Sequence, residues 1–268
     1  RSTLFPYTTL FRSNLVLRGL TWSRALAFLD DVLIVGNSFA NHLENLRKVF
    51  DRFRENEIKL KPKKCSLFQI EVKFLGKTIS KNGIGVDPEK IAAVENWPEP
   101  CNTKEVESFL GFVNYHRDHI HDFAEIAACL YELTGSKNKF AWEEKHHDAF
   151  EKLKSALVKA PVLGYPEKEG LFVLDCDSSD VAIGGELSQM QNGQLRVISY
   201  GSFSLTAEQR RYCTTRKELL AIVRFTRQYR HYLLGRKFVV RTDHSSLAWL
   251  MRFKYIEGQL ARWIEIGR

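Results

Sequence analysis

The stretch Ala27-Phe28-Leu29-Asp30-Asp31-Val32-Leu33-Ile34-Val35 constrains this chain more than any other. Two adjacent carboxylates lie between short apolar runs rich in Leu, Ile, Val and Phe, and such runs form strands. The aspartates therefore fall at or near the turn of a hairpin. Burying two adjacent charges is expensive unless a cation or hydrogen bonds offset it. The stretch has two readings. One is a solvated turn, where Asp is common. The other is a site for a hard divalent cation such as Mg²⁺, which prefers carboxylate oxygens.

Composition narrows the class. The chain has 268 residues, 44% hydrophobic and 27% charged, which fits a globular protein of one to three domains. A net charge of +8 and a pI near 9.2 make a polyanionic partner plausible. Cys65, Cys101, Cys129, Cys176 and Cys213 are scattered and form no CxxC pair, so neither a disulfide framework nor a zinc ribbon is indicated. That pattern fits a reducing, intracellular setting. No apolar run approaches the roughly 18 residues needed to span a bilayer, and no secretory signal pattern is present.

Taken in order, residues 1–13 carry no period that continues into residue 14 and beyond, and they read as a non-native or disordered leader. Residues 14–24 read as the end of a helix feeding the hairpin. An amphipathic helix is expected from Phe39 to Asn56, capped by Ser38, with Leu43, Leu46, Val49, Phe50 and Phe53 on one face. Lys59, Lys61, Lys63 and Lys64 surround Pro62, either as a solvated loop or as a phosphate-facing edge. A hairpin is expected around Val72–Ile79, turning at Gly76. Asp87-Pro88 starts a short helix. Helices are expected next over 103–120, 121–134 and 143–159, and 161–166 is the best linker. The period then changes to strands at 171–174, 182–188, 195–200 and 238–241. A long helix over 214–234 precedes the last strand, and a further helix comes after it. This is an α/β arrangement with a mixed sheet.

The second half carries its own carboxylates. Asp177 ends its first strand, Glu218 lies in the first turns of the long helix, and Asp243 ends the last strand. Strand ends and the crevice beside them are where open sheets place ligands. Three converging carboxylates there could hold two Mg²⁺ about 4 Å apart for displacement at phosphorus. Singly, each has a plainer use: a turn cap for Asp177, a helix-dipole partner for Glu218, an N-cap for Asp243.

The ordered set of motifs resembles the reverse transcriptase–RNase H region of gypsy-type LTR retrotransposons and their retroviral relatives, over nearly the whole chain from Asn14. Phe28-Leu29-Asp30-Asp31 is similar to the family's Tyr-x-Asp-Asp box. Val72-Lys73-Phe74-Leu75-Gly76 with Gly83-Ile84 and Asp87-Pro88 is similar to its primer-gripping hairpin. Trp97-Pro98, Ser108-Phe109-Leu110-Gly111 and Tyr115 are similar to its thumb. Lys217-Glu218-Leu219-Leu220-Ala221-Ile222-Val223 and Thr242-Asp243-His244-Ser245-Ser246-Leu247 are similar to its RNase H domain.

The resemblance implies an α/β (α+β multidomain) protein: the C-terminal part of a polymerase palm at 14–86, a helical thumb or connection at 87–165, and an RNase H-like mixed-sheet domain at 166–268. It implies RNA-directed DNA polymerase and ribonuclease H chemistry with Mg²⁺, or Mn²⁺ in its place. Asp30 and Asp31 would help hold metal in the palm, and Asp177, Glu218 and Asp243 in RNase H. Lys61, Lys63, Lys64, Phe74, Leu75, Gly76, Arg117 and His244 would meet nucleic acid. The implied partners are RNA–DNA hybrid, template–primer duplex, dNTP and other segments of the Pol polyprotein, with no membrane. The implied setting is a cytoplasmic virus-like particle or the nucleus.

The family's upstream palm aspartate and its later RNase H carboxylate are not in the chain. The expectation is therefore an internal fragment with no polymerase activity and weak or absent RNase H activity. Phe28 replaces the usual Tyr, Arg216 stands where Glu is frequent, and Glu186 where an apolar residue is usual. His116, His119, His121, His146 and His147 lack the ligand set for zinc and are read as solvated. The rival to an enzyme is a non-catalytic nucleic-acid-binding remnant or a domesticated retroelement protein.

Overall fold

The computed structural model describes residues 15–135 and 140–243. The chain divides into two compact units, residues 1–75 and 76–268.

In the first unit, β1 (Ala25–Phe28) and β2 (Asp31–Ile34) form an antiparallel hairpin closed by the pair Phe28–Asp31. Leu29 and Asp30 make the turn, with Leu29 in the left-handed region at φ 54°. Helix α1 (Phe39–Glu55) begins where Ser38 Oγ accepts from the Asn41 amide at 3.2 Å. Leu46, Val49 and Phe53, spaced three and four apart, are buried on one face, and Val49 and Phe53 pack with Val16, Leu17 and Ala25. Leu43 stays half-exposed, and Asn45 is buried in its place. Asn45 Nδ2 donates to the Val35 carbonyl at 2.7 Å and its Oδ1 accepts from Arg24 at 2.5 Å, tying the helix to the end of β2. Ser38→Ala should cost about 1 kcal/mol, read as a lower urea midpoint. An unchanged midpoint would show that the cap contributes nothing. Strand β3 (Glu71–Phe74) ends this unit.

The second unit starts at β4 (Lys77–Ser80) and β5 (Gly83–Val86), an antiparallel pair. Helix α2 (Pro88–Glu95) comes next, with the Asp87 carboxylate accepting from the Glu89 amide. Helices α3 (Thr103–Tyr115), α4 (Phe123–Ile126), α5 (Ala128–Leu133) and α6 (Glu144–Val158) enclose a core of Val106, Phe109, Val113, Leu130, Phe150 and Leu157. The Phe109 and Phe150 rings lie 4.5 Å apart. Helix α3 stops five residues before the expected Ile120 because the chain turns inward through a 3₁₀ segment at Arg117–His119. The expected helix over 121–134 is two short ones, preceded by Asp122 at φ 51°.

The sheet contains β6 (Phe172–Ser178), β7 (Ala182–Gln191), β8 (Gln194–Ser204) and, after helices α7 (Ala207–Arg210), α8 (Thr214–Gln228) and α9 (Arg230–Leu233), β9 (Phe238–Arg241). Its order is β8-β7-β6-β9, with β9 parallel to β6 and the other pairs antiparallel. The long helix expected over 214–234 breaks at Tyr229, whose hydroxyl donates to the Ser199 carbonyl at 3.3 Å. Gly185 and Gly201 leave the slot that Phe225 of α8 fills: a Cβ on either would lie 2.5 or 2.7 Å from its ring. On the other face of β7, Asp122 sits over Gly184, where a Cβ would lie 2.5 Å from its Oδ1.

The 161–166 stretch is strapped into the unit and is no free linker. Leu163 exchanges both backbone hydrogen bonds with Ile84 at 2.9 Å, and the Gly164 amide donates to Val197. Gly83 is required there: at φ 133° its Cβ would lie 2.0 Å from the Leu163 carbonyl oxygen.

Three of the histidines expected in solvent are buried. His116, His119 and His146 are each 2% exposed or less. His146 Nδ1 accepts from the Glu143 amide and completes the α6 capping box. His119 faces the Pro161 carbonyl at 3.3 Å. Burial pushes the His116 imidazole down to about 4 and lowers that of His119. A buried neutral imidazole must charge as the pH falls, so stability held above the ordinary range drains away between about pH 6.5 and about pH 4. For His116 that loss should reach about 3 kcal/mol. Urea denaturation at pH 7 and pH 4.5 checks it, with His116→Gln flattening the difference. An equal acid loss in that variant would refute the assignment.

Candidate acidic site

Strand β6 carries Asp177 at its end, the first turns of α8 carry Glu218, and Asp243 lies just past β9. One oxygen from each carboxylate lies within 4.8 Å of the others, and no other group of three potential metal ligands occurs among the described residues. The parallel pairing of β6 with β9 puts two strand ends side by side, and α8 starts over the same end of the sheet. The sequence position of each acid therefore becomes a shared location.

Asp177 and Asp243 are exposed, whereas Glu218 is buried, with 2% exposure. The Ser178 hydroxyl donates to Glu218 Oε1 at 2.5 Å, and the Thr242 hydroxyl donates to Oε2 at 3.2 Å. Each donor is the chain neighbour of one of the other two carboxylates. Burial raises the Glu218 pKa, and the charges of Asp177 and Asp243 add to the rise, while the Ser178 and Thr242 hydrogen bonds oppose it. The adjacent Cys176 thiol is pushed up by burial. Asp175 and Arg241, paired across the parallel strands, form a two-pronged ion pair at 2.5 and 2.6 Å that steadies the chain leading to Asp243. A cleft of about 290 Å³ opens beside the acids, with Glu186, His121 and Asp122 in its lining.

His121 and Asp122 are invisible as site residues in the sequence. They belong to the helical segment, and nothing in their spacing points to the sheet. Glu186 stands out in the sequence only as an acid in an apolar strand. It lines the cleft and accepts from Ser188 Oγ at 2.7 Å. Arg216, the charge reversal near Glu218, lies with its guanidinium 3.7 Å from the Tyr212 ring centroid.

The remaining sequence candidates lie elsewhere. Asp30 and Asp31 are both exposed at their hairpin, so no buried charge pair exists there. Lys61, Lys63 and Lys64 are exposed around a 3₁₀ turn. Phe74 is half-buried, and Leu75 and Gly76 form a turn with φ of 51° and 67°. Arg117, expected as a phosphate contact, is used inside the fold. It donates to the Ser202 carbonyl and lies over the Phe123 and Phe203 rings at 5.3 and 5.7 Å. His244, the leader over 1–13 and the helix expected after Asp243 lie outside the described residues.

Two sequence profiles match the chain. Residues 14–79 match the reverse transcriptase (RNA-dependent DNA polymerase) family, and residues 142–240 match the RNase H-like domain found in reverse transcriptase. The chain is 37% identical over 251 residues to the retrovirus-related Pol polyprotein from transposon 297 of Drosophila melanogaster, covering 93% of this chain and 23% of that protein. It is 32% identical over 237 residues to the transposon Tf2-3 polyprotein of Schizosaccharomyces pombe, covering 87% of this chain and 18% of that one. The chain thus spans about a quarter or less of the curated relatives it matches. Among solved structures, a foamy viral protease-reverse transcriptase in complex with dsDNA superposes with a TM-score of 0.77 at 25% identity, over 97% of this chain and 55% of that one. The same protein in complex with an RNA/DNA hybrid gives 0.73 at 25% identity, over 94% of this chain and 35% of that one. Among the described residues no helix is long and apolar enough to cross a membrane. With its mixed α and β architecture and its two matched domains, this chain belongs to the retrovirus-related Pol polyproteins of gypsy-type LTR retrotransposons, in their reverse transcriptase–RNase H region.

Proposed function

We propose that the RNase H-like part of this chain cleaves the RNA strand of RNA–DNA hybrids, with Mg²⁺, or Mn²⁺ in its place, held by Asp177, Glu218 and Asp243. The observation that carries this reading is the convergence of the three carboxylates within 4.8 Å. The donor set fits a hard divalent cation: all its atoms are carboxylate oxygens, and one acid is buried where its charge needs an opposite one. When bound, such ions lower the pKa of an attacking water and offset the charge of the phosphodiester. Ser178 and Thr242 hold both oxygens of Glu218, so the buried ligand is oriented before any ion arrives. Arg241, pinned by Asp175, keeps the approach to Asp243 in place.

In the longer Pol protein, Asp30 and Asp31 would help hold metal at the primer 3′ hydroxyl and the incoming dNTP. Lys61, Lys63 and Lys64 would meet backbone phosphates, and the Phe74-Leu75-Gly76 turn would support the primer end. The domain reading is a palm part over 14–86, a thumb or connection over 87–165 and an RNase H-like domain over 166–268. The compartment in this reading is a cytoplasmic virus-like particle or the nucleus.

The test is cleavage of the labelled RNA strand of a hybrid by this chain. Slow cleavage dependent on Mg²⁺ or Mn²⁺ is expected, abolished by Asp177→Asn. No cleavage with either ion, or equal cleavage by Asp177→Asn, would overturn the reading. Primer extension should give no product, because two exposed carboxylates at a hairpin are too few to hold a pair of ions. Extension products from purified chain would contradict that.

A further inference from the structure

We propose that His121, buttressed by Asp122, is the wall of the carboxylate cleft that donates a hydrogen bond to a backbone phosphate of the bound hybrid. The proposal rests on the cleft being the hybrid site, and it adds a contact from the helical segment.

A phosphodiester entering a cleft lined by Asp175, Asp177, Glu186 and Asp243 needs a donor on the facing side. The basic side chains among the described lining residues are Arg241 and His121. Arg241 has two of its nitrogens on Asp175. His121 has Nδ1 on Asp122 Oδ2 at 2.6 Å, which leaves Nε2 as the ring nitrogen for a ligand. The His121 side chain is 60% exposed, so a strand can reach it. Its pKa is raised, first by the Asp122 hydrogen bond and also by the charges of Asp122 and Glu186, against burial. These groups favour the doubly protonated ring, in which Nε2 carries a proton to donate.

The position is built into the fold. Asp122 sits at φ 51°, in the left-handed region that residues other than glycine seldom adopt. It fits only because Gly184 has no Cβ, and Gly184 is the register partner of Asp177. The Ala124 amide donates to Ser202 Oγ at 3.0 Å, fastening the same corner to β8, and the Tyr200 ring meets the imidazole edge-on at 5.3 Å. The helical segment thus brings one polar corner to the strand pair that bears the first carboxylate.

The test is hybrid affinity by fluorescence anisotropy in Ca²⁺, with the full chain and a labelled RNA–DNA duplex. His121→Ala and His121→Phe should weaken binding roughly tenfold, the scale of a lost charge-assisted hydrogen bond. His121→Gln, whose amide can place a donor near Nε2, should recover most of it. Melting temperatures of all three should match wild type, because the side chain is exposed. Wild-type affinity in His121→Ala, or equal loss in His121→Gln and His121→Phe, overturns the contact while leaving the hybrid reading intact. No hybrid binding by the wild-type chain overturns both.

Discussion

Glu218→Gln should abolish hybrid cleavage and leave the folded state at least as stable as wild type in EDTA. Removing one ligand oxygen charge should cost roughly 10³-fold in rate, the equivalent of several kcal/mol of lost charge stabilisation at the phosphodiester. The stability half stems from burial. Glu218 is 2% exposed, and its pKa is raised by burial and by Asp177 and Asp243. A carboxyl whose folded pKa lies above its unfolded one contributes stability in acid and loses it as the pH rises through the folded value. At neutral pH without metal the ionised group therefore opposes folding, and a neutral amide relieves that opposition. The amide still accepts from one hydroxyl, Ser178 or Thr242. Cleavage rate and melting temperature in EDTA, measured on the same preparation, decide the matter. A variant that loses activity because it melts well below wild type would show that Glu218 is a structural acid.

Phe225→Ala should destabilise the second unit by about 3–5 kcal/mol. Phe225 is fully buried, with the Phe203 ring 5.6 Å and the Tyr229 ring 6.3 Å away. Its floor is the backbone of Gly185 and Gly201, which cannot move in to refill the space as side chains could. The cavity should therefore persist, placing the cost at the upper end of the usual range. The urea midpoint of the sheet unit is the measurement, and a loss under about 1 kcal/mol would mean that the slot collapses. Hybrid cleavage should fall along with stability, because α8 carries both Phe225 and Glu218.

Legibility from sequence varies by element. Helix α1 is readable to within a residue, since Ser38 caps it and Leu46, Val49 and Phe53 mark its face. The two aspartates of the hairpin fall at its turn as expected, and β9 has its expected bounds. The short helices after α3 are not readable. Residues 116–122 carry no apolar period that ends a helix, and the turn there is imposed from outside. Arg117 reaches the Ser202 carbonyl 85 residues away, and Asp122 depends on the missing Cβ of Gly184. The buried histidines escape a sequence reading for the same reason: a local window holds no record of what packs over it.

Local chemistry along the chain settled which residues could do the work. Carboxylates at strand and helix ends are recognisable from their neighbours, as are the cap residues and the apolar faces. Tertiary structure alone decided which of those carboxylates share a place. Asp177, Glu218 and Asp243 meet because β9 returns parallel beside β6 and α8 crosses over that end. It also decided that His121 lines the same cleft as Asp177 and Asp243. Distance through space is set by sheet register and helix packing, which couple residues tens of positions apart, whereas sequence patterns report only on neighbours within a turn or a strand.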